Sequence, residues 1–149
     1  MHIELLIDYR NGKALKEPVH AKSLGNKEFI LESTPGLVLG VASGDKIELL
    51  NENGEFKVLE RGMNLAVQLY SIEIIRPLIN ELSQLLQPLN GIIDGAIDKG
   101  IACTIPVDSG FKNIEEVFDS FVTKYPHVEW YYGNVYDPKD GITPLNWWN

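Results

Sequence analysis

The chain has a single cysteine, Cys103, so no internal disulfide can staple it, and a reducing, cytoplasmic setting is expected. No apolar run reaches the roughly 18 residues that a membrane-spanning helix needs, so no membrane association is expected. The opening Met1-His2-Ile3-Glu4 lacks the basic start and apolar core of a secretory leader, and none is expected. Histidine is scarce as well. His2, His20 and His127 form no His-x-x-x-His pair, there is no Cys-x-x-Cys, and a zinc site would have to draw on scattered ligands, so neither metal nor cofactor is expected.

Basic charge is the most unevenly missing property. The net charge is -8, with 10 acidic and 8 basic side chains in residues 1–62 but 11 and 5 in residues 63–149. The negative field therefore belongs to the second half. Such a field repels nucleic acid and steers basic proteins inward.

Familiar catalytic signatures are missing too. Gly36, Gly40 and Gly44 resemble a phosphate loop at first sight, but Gly44 is followed by Asp45, an anion where a phosphate-binding lysine should stand. Ser43-Gly44-Asp45-Lys46 reads instead as a tight turn. Ser109 lacks a Gly-x-Ser-x-Gly context. Setting Gly141 at the invariant glycine of a calcium loop puts Tyr136 and Pro138 where oxygen ligands belong, so that template fails around Asp137 and Asp140. Cys103, between Ala102 and Thr104, reads as a small buried hydrophobe. No assembled catalytic constellation emerges, which weighs against an enzyme.

What the sequence does contain is an ordered alternation from Leu65 to Gly133. Leu65–Tyr70 reads as a strand. Ile75, Leu78, Ile79, Leu82, Leu85, Leu86 and Leu89 recur three and four apart, the stripe of a helix that begins near Glu73, holds Pro77 in its first turn and stops at Pro88 and Asn90-Gly91. Ile92–Ile97 and Ile101–Val107 flank Asp98-Lys99-Gly100, a hairpin in which Gly100 is expected to supply a positive φ. A second helix carries Ile114, Val117, Phe118, Phe121, Val122 and Tyr125, with Asn113 and Glu116 in capping-box spacing and Pro126 as its stop. Val128–Tyr132 closes the set. Strand, helix, strand, strand, helix, strand is the order of a ferredoxin-like βαββαβ sandwich.

Before it, Ile3–Ile7, Val19–Lys22, Phe29–Glu32, Leu37–Val41, Lys46–Leu50 and Phe56–Glu60 read as short strands between turns, the pattern of a small curled sheet or barrel. The fold expected is thus α+β: a short-stranded β subdomain over 1–64, the sandwich over 65–133, and an extension over 134–149 whose Trp147 and Trp148 pack on the domain.

Glu17-Pro18-Val19-His20-Ala21, Leu24-Gly25, Phe29, Ser33-Thr34-Pro35, Ser43-Gly44-Asp45 and Phe56-Lys57-Val58 resemble the bacterial family known as domain of unknown function 4265, over roughly residues 17–133. The resemblance implies a short-stranded opening and an α/β half, and implies no activity. The aromatic C-terminal extension departs from it.

Two functional expectations follow. The first is a non-catalytic acidic protein that binds a basic protein partner, in its most concrete form an immunity protein that neutralises a toxin. Its partner-binding residues would be Glu115, Glu116, Asp119, Trp130, Tyr132, Asp137 and Asp140. Within the last strand, Trp130 and Tyr132 share one face and Tyr131 takes the other; aromatics on the face left uncovered by helices would mark a subdomain interface or a binding surface. The alternative is an enzyme or small-ligand protein with a pocket between the subdomains and an acid or base drawn from Asp94, Asp108 and Asp137, a role that needs carboxylates of divergent pKa close together.

Overall fold

A computed structural model describes all residues, 1–149. The chain is mixed α+β and mostly strand: nine strands in two antiparallel sheets, with two α-helices. No helix is long and apolar enough to cross a membrane.

The first sheet is a meander in the order β1 (His2–Arg10), β2 (Lys13–Gly25), β3 (Glu28–Leu31), β4 (Lys46–Leu49), β5 (Phe56–Glu60). Alternate residues of β1 and β2, Ile3, Leu5, Val19 and Ala21, point inward and form a core with Leu31, Val38, Val41 and Ile47. The sheet bends back on itself where Leu6 N–H donates to Gly54 C=O at 2.9 Å, bringing β1 against the β4–β5 turn. Only glycine permits that approach. Gly54 has φ +85° and a Cβ there would lie 2.7 Å from Leu6 N.

The second sheet runs β7 (Ile92–Ile97), β8 (Gly100–Pro106), β6 (Asn64–Ser71), β9 (Val128–Tyr132). Its helices, α1 (Ile79–Leu86) and α2 (Phe111–Lys124), cover one face. Leu65, Val67 and Leu69 of β6 and Ile101, Cys103 and Ile105 of β8 meet Leu82 and Leu86 of α1 and Ile114, Phe118 and Phe121 of α2 in the larger of two cores, 15 buried residues against 8. Burying that set is the main driving force for this half.

Several local expectations are corrected. Residues 37–41 form no strand. Pro35 removes one donor, and the N–H groups of Gly36, Leu37 and Val38 are drawn to the Glu17 carboxylate at 2.7, 2.9 and 3.1 Å, so no ladder can form there. The first helix does not begin near Glu73. Ile75 N–H donates to Asp98 C=O, Arg76–Leu78 is a 3-10 turn containing Pro77, and α1 follows from Ile79. Asn113 is not a cap either. Gly110 precedes Phe111 at the start of α2, and the Asn113 side chain donates to Ser109 C=O from within the helix. Gly100 is not left-handed; it sits in β8 paired with Tyr70 and Ile97, so the β7–β8 reversal does not depend on it.

The irregular segment 33–45 lies on the face of the second sheet that the helices leave free. The Gln68 side-chain amide donates to Pro35 C=O at 2.8 Å and Val38 C=O at 3.2 Å, and the Thr34 and Thr104 hydroxyls are 2.7 Å apart. This explains the burial of β6 on both faces. Beyond β9, Val135 enters the larger core. The Trp147 indole N–H donates to Asn134 C=O at 2.8 Å, and Trp148 packs edge-on against Phe111 with centroids 5.2 Å apart.

Candidate functional site

β9 is an edge strand, flanked by β6 on one side only. Its alternation sends Trp130 and Tyr132 to the helix side and leaves Tyr131 as the aromatic on the face without helices. Trp130 stacks on Phe118 at 5.2 Å and 27°, and Tyr132 meets Phe111 edge-on at 5.7 Å. Tyr131 turns to the opposite side, where burial and then the Glu17 charge push its phenol pKa up.

The polar tips of the two helix-facing aromatics reach carboxylates on α2. The Trp130 indole N–H donates to Asp119 and the Tyr132 hydroxyl to Glu115, each at 3.0 Å. Glu115 and Asp119 are four residues apart, one helical turn, so they stand in line along the same edge of α2. Burial, and next the bond to Glu115, raise the Tyr132 pKa, so its phenol stays a donor across the physiological range. Neither carboxylate has a Lys or Arg partner within ion-pair distance.

A groove of about 480 Å³ opens beside this strand. Leu39, Glu115, Asp119, Trp130, Tyr131, Tyr132 and Asp137 line it, together with Tyr136, Pro138 and two glycines. No basic side chain lines it. Of the residues expected to bind a partner, Glu115, Asp119, Trp130, Tyr132 and Asp137 are thus gathered here. Glu116 is not: it faces the groove of about 690 Å³ between α1 and α2, which it shares with Glu81, Phe121 and Lys124. Asp140 is taken up by its own turn, accepting from Ile142 N–H, Thr143 N–H and the Thr143 hydroxyl, bonds that hold its carboxyl below the usual range.

The three carboxylates considered as acid or base are dispersed. Asp94 is on β7 and Asp137 lies beside β9, at opposite edges of a four-stranded sheet. Asp108 is in the 3-10 turn after β8. Asp94 accepts from Thr34 N–H at 3.1 Å and from the Thr104 hydroxyl, and burial raises its pKa despite those bonds. No group of three or more His, Cys, Asp or Glu side chains converges on a point. Cys103 is buried, and burial followed by the Asp94 charge push its thiol pKa up, the opposite of a reactive thiolate.

Sequence reasoning missed the polar seam beneath segment 33–45. Asp45, fully buried, accepts from Ala42 N–H at 3.0 Å, Gly62 N–H at 2.8 Å and Arg61 at 3.2 Å. Asn134 accepts from Ala66 N–H and donates to Asn64 C=O. The only available signal was polar residues set among apolar ones in β6 and β8, Gln68 and Thr104, and a strand pattern alone does not say what they face.

The family model described as Domain of unknown function (DUF4265) matches residues 17–125. No curated protein matches the sequence. The fold is similar to that of a solved hypothetical protein from Neisseria gonorrhoeae, with TM-score 0.67, 10% identity and coverage of 89% of this chain and 94% of that one. At that identity the likeness speaks for the fold alone.

Proposed function

The chain belongs to the family described as Domain of unknown function (DUF4265), so its role has to be read from its own residues, and we propose that it is a non-catalytic binding protein whose acidic second half receives a basic protein partner. The observation that carries this reading is the groove beside β9, in which Glu115, Asp119 and Asp137 face aromatic walls with no basic residue among the lining. Carboxylates without counter-ions are a standing field for a cationic surface, and aromatic neighbours supply the apolar area that binding hot spots use. Neutralisation of a basic toxin by an immunity protein in the bacterial cytoplasm is the most specific form of the proposal.

Three structural readings go with it. We take residues 65–133 as a ferredoxin-like unit, supported by the strand order β7-β8-β6-β9 with both helices on one face, and residues 1–64 as a β subdomain, supported by its separate core. Residues 134–149 are an extension packed on the second unit, supported by the Trp147 and Trp148 contacts.

The test is recovery of the native partner with the wild-type chain and with a Glu115→Lys, Asp119→Lys variant whose circular dichroism matches. A basic partner whose affinity falls steeply between low and physiological salt, and falls again on charge reversal, is the expected result. Binding indifferent to salt and to the reversal would refute the proposal.

A further inference from the structure

We propose that the free edge of β9 takes up an extended basic segment of the partner as an additional strand of the second sheet. This rests on the acidic-groove reading above and adds the means by which the partner is held.

The main chain of β9 decides it. Gly133 N–H donates to Ala66 C=O at 2.8 Å and Ile72 N–H to His127 C=O at 3.1 Å, while the register pairs Tyr131 with Gln68 and Glu129 with Tyr70. In an antiparallel ladder hydrogen-bonded pairs alternate along the strand. Glu129 and Tyr131 therefore turn their N–H and C=O toward β6, and Trp130 and Tyr132 turn theirs away from it. No strand pairs on that side. At one end Val128 N–H is already bonded to Tyr125 C=O, and just past the other Gly133 C=O accepts from Gly40 N–H, which leaves two donors, the N–H groups of Trp130 and Tyr132, and three acceptors, the carbonyls of Val128, Trp130 and Tyr132, open along the edge.

These groups border the groove already described, and that placement specifies the incoming chain. A strand laid beside β9 alternates its side chains between the two faces. One set meets Glu115 and Asp119; the other meets Tyr131 and Leu39, which are 41% and 42% exposed. The complementary sequence alternates basic and apolar residues. A second copy of this chain is a poor occupant, because edge-to-edge pairing would set Glu115, Asp119 and Asp137 of each copy against their counterparts with no cation between them. The opposite edge, β7, carries a bulge between Ile93 and Gly95, a feature that discourages pairing. Strand addition to an exposed edge is an established mode of peptide recognition, with main-chain bonds for affinity and alternate side chains for selectivity.

The probe is a short capped peptide of alternating lysine and valine, titrated into the full chain and followed by the amide resonances of Trp130 and Tyr132. Two further peptides carry N-methyl groups, one on every lysine amide and one on every valine amide. Residues of one parity all point their N–H the same way, so strand addition requires one methylated series to lose binding by about tenfold or more while the other keeps it. The Trp130 and Tyr132 amides should also become protected from exchange. Equal binding by both methylated series, with loss on Glu115→Lys and Asp119→Lys, overturns strand addition and leaves the acidic-groove reading standing. Failure of the lysine peptide to bind, or a β9-mediated dimer of the free protein, also overturns it.

Discussion

Asp45→Asn tests what holds the two sheets together. The wild-type carboxylate lies in the 42–45 loop and gathers Ala42 N–H, Gly62 N–H and Arg61, the last two from the connector between the sheets. Asparagine has nearly the same shape but only one acceptor oxygen. If that oxygen keeps Gly62 N–H, its amide nitrogen is turned toward Ala42 N–H and Arg61, donor against donor. A lost bond to a charged acceptor is worth about 1.5–3 kcal/mol, and removing one partner of a buried ion pair about 3–5. Arg61 is not stranded by the change, since its side chain is 20% exposed and also donates to Gly40 C=O, which places the effect near the lower end of that range. Burial opposes this, pushing the Asp45 pKa up, so a neutral residue recovers some desolvation energy. The net expectation is a loss of about 2–3 kcal/mol, or roughly 5–12 °C in Tm for a chain of this size. Urea unfolding at pH 7, followed by circular dichroism and tryptophan emission, measures it. A variant as stable as the wild type, or more so, would mean that desolvation outweighs the three bonds and would refute the argument.

Other substitutions probe separate parts of the structure. Gly62→Ala would place a Cβ 2.5 Å from the Gly44 carbonyl carbon, a main-chain clash with no side chain to yield, so a destabilisation of about 1–3 kcal/mol or more is expected in the same assay; a loss below that would show that the connector is loose. Phe118→Ala empties the centre of the larger core and unstacks Trp130, an expected cost of about 3–5 kcal/mol with a shift in tryptophan emission; unchanged emission would contradict the stacking. Asp94 has a folded-state pKa above its usual value of 3.8, so the folded state retains the proton to higher pH than the unfolded one. Its contribution to stability is therefore fully present below the unfolded pKa and is lost as pH rises through the folded one. The stability of the wild type relative to Asp94→Asn should fall as pH rises from the usual carboxyl value of 3.8 through the raised folded-state pKa; a rise over that interval would reverse the assigned sign.

The helices and strands of residues 65–133 were legible because each carries a one-dimensional record of what it buries. Ile114, Phe118 and Phe121 repeat at helical spacing, and β6 and β8 are mostly apolar runs broken by Gln68 and Thr104, since both their faces are covered. Residues 37–41 differ from the strand expected there for the complementary reason: Val38 and Val41 are buried as a strand's residues would be, but the N–H groups of Leu37 and Val38 are satisfied by a carboxylate about 20 positions away, which no local pattern records. Excess negative charge and the aromatic content of β9 were also in the sequence.

Which carboxylates stand together was not. Glu115 and Glu116 are neighbours in the chain, yet the helix's rotation between successive residues sends the first to the β9 groove and the second to the groove against α1. Asp137 and Asp140 share one loop, yet one lines the groove while the other is consumed by its turn. Composition set the sign of the field and periodicity set the elements, both sums over local residues. Only packing decided where the uncompensated charges meet an open strand edge, because that depends on which distant segments share a surface.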